Sequence, residues 1–187
     1  ISAPFDFPVY KSEAQLKKEK DSICEHFKLY FTKDSTIAVQ SLRQLRNRFY
    51  RNASEEIPRE AYINYYNALI GLYNKGIISQ NDKEIMASNR AENINLVTDH
   101  ISHTIDKEQF ITPDKAYKIV LAADTFPANT IAAYKLNDFI KPNIAYDSTK
   151  TALLLEEELT LLPISEGIVQ NGQKIVSRGD IVDAKTY

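Results

Sequence analysis

The stretch Gly167-Ile-Val-Gln-Asn-Gly172-Gln-Lys-Ile-Val-Ser-Arg-Gly179-Asp-Ile-Val182 decides how the chain is read. Three of the chain's five glycines fall in it, separated by apolar pairs. Asn171-Gly172 is a two-residue hairpin signal, because a type I′ turn needs positive φ at both central positions. Arg178-Gly179-Asp180 is a second turn signal, and Ile168-Val169, Ile175-Val176 and Ile181-Val182 supply β-branched strand residues. The stretch therefore predicts a small three-stranded β unit at the end of a mostly helical chain.

Working outward, Phe5-Asp-Phe-Pro-Val-Tyr10 alternates bulky and polar residues around a proline and reads as an extended edge segment. Its pairing with the C-terminal strands would bring the two ends of the chain together. Ser12 and Gln15 form a capping box, and Leu16, Ile23, Phe27, Tyr30 and Phe31 predict a helix running to about Lys33. A second helix begins near Ser35, with Ala38, Leu42, Leu45 and Phe49 at helical spacing, and fades near Asn52. Pro58 suits the first turn of a third, whose apolar stripe is Tyr62, Tyr65, Tyr66, Leu69 and Leu72. Lys75-Gly76 stops that helix, the glycine being free to take αL geometry. The three helices predict an antiparallel bundle.

Beyond Gly76 the pattern changes. Ile77-Ile78, Glu84–Ala87 and Ile94–Val97 read as short strands, and Asp99 to Thr112 fits no single element. A helix near Pro113 would turn Ala116, Ile119, Val120 and Ala123 inward, and another would run from about Asn129 to Phe139, anchored by Ile131, Leu136 and Phe139. Lys141–Tyr146 is extended, since Pro142 biases its neighbour away from αR. Asp147 or Ser148 then caps a helix holding Leu153 to Leu155 and Glu156 to Glu158, and Pro163 ends it. The fold class is α+β, a single domain over 1–187. Its helical part spans about 11–76, its mixed α/β part about 77–163, and its β unit about 164–182 with 5–10.

A chain of 187 residues buries roughly 70% of its unfolded surface and needs neither metal nor disulfide to fold. A net charge of −2 without blocks of like charge argues against a nucleic-acid surface. Arg43, Arg46, Arg48 and Arg51 make a local basic patch in one helix, read as a solvated face rather than a phosphate site. Cys24, the one cysteine, reads as a small buried hydrophobe, and no intrachain disulfide exists. No stretch approaches the ~20 apolar residues of a membrane-spanning helix. The chain begins at Ile1 rather than Met, which predicts a removed signal peptide or anchor, although an engineered truncation would look the same.

Few constellations carry chemistry. In a helix Asp99, His103 and Asp106 would share a face, with His100 a neighbour of His103, a set that would suit zinc or iron, but the spacing is weak and an exposed polar segment is the plainer reading. Cys24 and His26 lie on different sides of a helix, so they make no nucleophile–base pair. There is no Gly-x-Ser-x-Gly elbow and no phosphate-binding glycine loop. Glu55-Glu56 and Glu156 to Glu158 read as solvated carboxylates. Five of the eleven tyrosines fall between Tyr50 and Tyr73, as a core edge or as the lining of a pocket or interface. No catalytic, cofactor-binding or metal residue is assigned, and no cofactor is expected.

The spacing of Gly167, Ile168, Val169, Gly172, Ile175, Val176, Gly179, Val182 and Tyr187 resembles the end of the extracellular domain of seven-transmembrane receptors bearing an HD hydrolase. Pro142-Asn143-Ile144-x-Tyr146-Asp147-x-Thr149, the opening Phe5–Tyr10 and Asn89-Arg90-Ala91 are similar to that family too, with the look of a Bacteroidetes member. The resemblance implies a periplasmic, ligand-sensing domain that is not itself an enzyme. It implies a cytoplasmic HD phosphohydrolase elsewhere in the polypeptide, like the membrane cyclic-di-AMP phosphodiesterases. The implied partners are an unknown small ligand or envelope protein, the rest of the same polypeptide in the membrane, and a second copy of the chain. The alternative is an interaction or dimerisation module without a small ligand.

Overall fold

A computed structural model describes residues 1–51, 58–123, 125–126 and 134–182. The expectations for Asn52, Glu55-Glu56, residues 129–131 and Tyr187 lie outside them. In chain order the elements are β1 (Phe7–Tyr10), α1 (Glu13–His26), β2 (Tyr30–Lys33), α2 (Ser35–Arg51), α3 (Arg59–Lys75), α4 (Gln80–Ser88), β3 (Asn93–Thr98) and β4 (Ile101–Asp106). A 3₁₀ turn (Lys107–Gln109), α5 (Pro113–Ala123), a second 3₁₀ turn (Leu136–Phe139), β5 (Ile144–Tyr146), α6 (Ser148–Thr160) and β6 (Ser165–Val169) follow. The fold is α+β, as the sequence implies. It divides into two units, one of Ile1–Glu25 with the stretch from Leu154 onward, the other of His26–Leu153.

The first unit is a clasp between the beginning and the end of the chain. β1 and β6 pair antiparallel, Phe7 opposite Val169 and Val9 opposite Gly167, with a register shift between Val9 and Tyr10. Ala3 N–H donates to the Gln173 carbonyl at 2.9 Å, and the Ile1 ammonium donates to the Val176 carbonyl at 2.7 Å. The capping box forms as expected: Ser12 N–H donates to Gln15 Oε1 at 2.8 Å, and Gln15 N–H donates to Ser12 Oγ at 3.2 Å.

The expected three-stranded tail condenses to one strand. β6 spends its pairing on β1, and residues 171–182 run through turns apart from a bridge between Ser2 and Lys174. Gln173 N–H donates to the Gln170 carbonyl at 2.9 Å, while Gly172 has φ 79° and Asn171 a negative φ. That is the pattern of a type II turn, not the type I′ turn of a tight hairpin.

The second unit holds the core. A four-stranded sheet has the order β4-β3-β2-β5, with β2 parallel to β3 and antiparallel to β5. β2 replaces the end of the first expected helix, which stops at His26 rather than Lys33. Phe27, Leu29 and Phe31 also fit a period of two, and the interior position of β2 buries Phe31 completely. Glu84–Ala87, expected as a strand, lies in α4, because Ser79 caps that helix by accepting the Asp82 N–H at 3.1 Å.

α2 begins behind Asp34, whose carboxyl accepts the Thr36 hydroxyl and N–H at 2.6 and 2.8 Å. Those bonds hold it below the usual carboxylate range. α3 starts behind Pro58 and ends at Gly76, with φ 100° and ψ 126°, positive but not αL. α2 and α3 pack together around Leu45, Tyr65, Leu69 and Leu72, with Ala116 and Val120 from α5. α1, expected beside them, falls with the clasp and buries no residue of its own. α5 buries a narrower stripe than its pattern promised, leaving Ile119 and Ala123 exposed. A second cluster, Phe31, Ile78, Met86, Ile94, Phe110 and Ile144, lies under the sheet.

Candidate functional site

Four of the residues that gave the family resemblance, Asn89, Asn143, Tyr146 and Asp147, hold the fold together. Asn143 Oδ1 accepts the Ile77 N–H at 2.8 Å, and its Nδ2 donates to the Tyr73 carbonyl at 3.3 Å, all buried. Asn143 N–H also donates to the Ile77 carbonyl at 2.8 Å, so one residue clamps the exit of α3 to the entry of β5. Tyr146 packs on Phe31 at 5.4 Å between ring centres, and Asp147 caps α6 by accepting the Lys150 N–H at 2.9 Å. Asn89 Nδ2 donates to the Phe27 carbonyl at 3.1 Å and its Oδ1 accepts the Ala91 N–H at 3.0 Å.

Asp99, His100, His103 and Asp106 form no common face. Asp99 and His100 are the two central residues of the β3–β4 turn, with φ of 50° and 68°. Thr98 pairs with Ile101 across them, so the tight type I′ hairpin occurs here. His103 lies opposite Leu96 on β4. Asp106 points to the other side of the strand, roughly 10 Å further along, and caps the next turn by accepting the Glu108 N–H at 2.8 Å. Among the described residues no group of three or more His, Cys, Asp or Glu is placed to hold a metal ion. Cys24, expected inside, is exposed on α1. Glu156 to Glu158 sit on exposed positions of α6.

The Tyr-rich window divides. Tyr65 and Tyr73 are buried, and Tyr62 stacks on Phe49 at 4.5 Å. Tyr66 lines a shallow groove of about 260 Å³ with Arg43 and Arg46. Tyr134 is fully buried, and among the described residues its phenol oxygen has no hydrogen-bond partner. Burial, then the neighbouring Tyr62, pushes its pKa up to about 12.

The basic patch splits as well. Arg48 and Arg51 turn away from Arg43 and Arg46 into a cleft of about 730 Å³. One wall is α2, where Gln44, Asn47, Arg48 and Arg51 repeat at helical spacing opposite the apolar stripe. The other wall is the Leu136–Phe139 turn, with Asn137 and Asp138, and Lys141 beyond it. Arg48 fastens the walls. It donates to the Tyr134 carbonyl at 2.8 Å and to Asp138 at 2.9 Å, and its guanidinium lies 4.6 Å from the centre of the Phe139 ring. Sequence reasoning weighed these arginines as a solvated face. The missing signal was Lys141, which a turn 90 residues downstream in sequence carries to the same cleft.

A cleft in an α+β body, joined to a clasp that pairs the chain's first and last strands, offers binding without an assembled nucleophile, acid–base pair or metal cluster among the described residues. The chain belongs to the 7TM-HD extracellular family, whose profile matches residues 1–187. It is an extracellular domain of a membrane receptor. No curated protein and no solved structure matches the chain. Among the described residues no helix is long and apolar enough to cross a membrane.

Proposed function

We propose that the chain is the signal-input domain of its receptor, on the periplasmic face of the cytoplasmic membrane, and that its state sets the output of a cytoplasmic HD phosphohydrolase acting on cyclic di-AMP. The observation that carries the reading is the antiparallel pairing of β1 with β6 in a chain that belongs throughout to the extracellular family. A domain entered and left through adjacent strands transmits a change in one strand pair to both flanking segments at once. A ligand shifts such an equilibrium only by its differential affinity for the two states. Excising the domain from the receptor gene and measuring intracellular cyclic di-AMP tests it: an altered level supports signal input, and an unaltered level refutes it.

A second reading is a docking or dimerisation module. It is favoured by apolar side chains exposed on the clasp: Phe5 at 63%, Leu161 at 75% and Ile168 at 68%. Single charged substitutions at Leu161 and Ile168 would lower a concentration-dependent mass in sedimentation if these side chains join copies; a monomeric mass at all concentrations excludes that form of it.

A further inference from the structure

We propose that the cleft between α2 and the Leu136–Phe139 turn binds a small polyhydroxylated anion, a sugar bearing a carboxylate or a phosphate. This names the signal for the input-domain reading and rests on it. The lining carries three cations and one carboxylate. Asp138 is neutralised by Arg48, and Arg48 is itself committed to the Tyr134 carbonyl and the Phe139 ring. Arg51 and Lys141 remain, with no ion pair among the described residues. Two uncompensated cations at the rim of a concave site concentrate field lines and select anions.

Charge alone would suit inorganic phosphate, but the cleft is too large for one. Its volume of about 730 Å³ falls in the ~300–1,000 Å³ range of metabolite sites. The amides of Gln44, Asn47 and Asn137 line it, and their side chains make no hydrogen bond among the described residues. Each offers two donors and one acceptor oxygen, which match hydroxyl groups that both give and accept. The Phe139 ring is 2% exposed, with Arg48 over its face, so no open aromatic surface invites an apolar or nucleobase ligand. Because Arg48 is held on both walls, the cations are presented by a preorganised frame.

Isothermal titration of the 187-residue chain with galacturonate, galactose 6-phosphate, galactose and inorganic phosphate tests this. Galacturonate or galactose 6-phosphate should bind about tenfold more tightly than galactose and than phosphate. Whichever of the two prevails identifies the source as a sugar acid or a sugar phosphate. The double variant Arg51→Gln/Lys141→Gln should weaken that binding about tenfold or more, while Arg43→Gln/Arg46→Gln, on the other groove of the same helix, should bind as the parent does. Circular dichroism confirms that each variant is folded. No heat from either charged sugar up to ~10 mM, equal binding of galactose, or full affinity in the double variant overturns the assignment. If neither sugar binds and excision of the domain still alters cyclic di-AMP, the ligand assignment alone falls; unaltered cyclic di-AMP removes the input role whatever binds.

Discussion

The hydroxyls of Tyr73 and Ser41 meet at 2.9 Å inside the helical core, where neither side chain reaches solvent. The same phenol oxygen bonds the Phe139 carbonyl and accepts the Lys141 N–H at 3.2 Å. One side chain on α3 thus ties α2 to the turn that forms the far wall of the cleft.

Tyr73→Phe removes that knot and leaves a buried carbonyl and a buried hydroxyl without their partner. The expected loss is about 1–3 kcal/mol of stability, read as a lower midpoint in chemical denaturation with an unchanged slope.

Tyr134→Phe should behave in the opposite way. Its phenol is buried without a partner among the described residues, so deleting the oxygen is neutral or stabilising by up to about 1 kcal/mol at neutral pH. The pH dependence has a definite sign. Burial pushes the folded-state pKa up to about 12, above the ordinary phenol value of about 10. Below pH 10 both states hold the proton and the group adds no slope. Above it the unfolded chain loses a proton that the native one keeps, so stability falls as pH rises toward 12. Denaturation midpoints between pH 9 and about 11.5 should fall less steeply in Tyr134→Phe than in the parent.

Gly76 permits no side chain. Its φ is 100°, and a Cβ there would sit 2.7 Å from Phe110 Cδ1 and 3.1 Å from Ile144 Cγ1. Gly76→Ala should cost about 2–4 kcal/mol through combined backbone strain and overpacking. Thermal unfolding several degrees below the parent is the expected result.

Asp99→Asn/His100→Gly places the residues favoured by a type I′ turn at the two positions that already have positive φ. The double variant should stabilise the fold by about 0.5–1.5 kcal/mol. A loss of stability of that size would mean that the two side chains make contacts the turn geometry does not require.

The sequence was most legible where two independent signals agreed. Ser12 with Gln15 and Asp147 before α6 each gave a cap that forms, and the stripe from Ala38 to Phe49 joined a helical period to burial around Leu45. It was least legible where one pattern fits two periods: Phe27 to Phe31 continues a helix or begins a strand, and only the neighbours β3 and β5 decide. The sequence points to Asn171-Gly172 as the hairpin and assigns Asp99-His100 to no single element, yet the strands flanking the latter are the ones that pair with each other. β6 is taken by β1, from the far end of the sequence, which local turn chemistry does not encode. The arginines of α2 were visible, but the cleft was not, because Asn137, Asp138 and Lys141 approach through tertiary packing.

The most direct test of signal input is turnover of cyclic di-AMP by the intact receptor in membrane vesicles, beside a form in which residues 1–187 are replaced by a short Gly/Ser linker. The β1–β6 pairing lets such a linker bridge the gap without pulling on the segments it joins. The account predicts that turnover by the two forms differs by about fivefold or more. Equal turnover would contradict it.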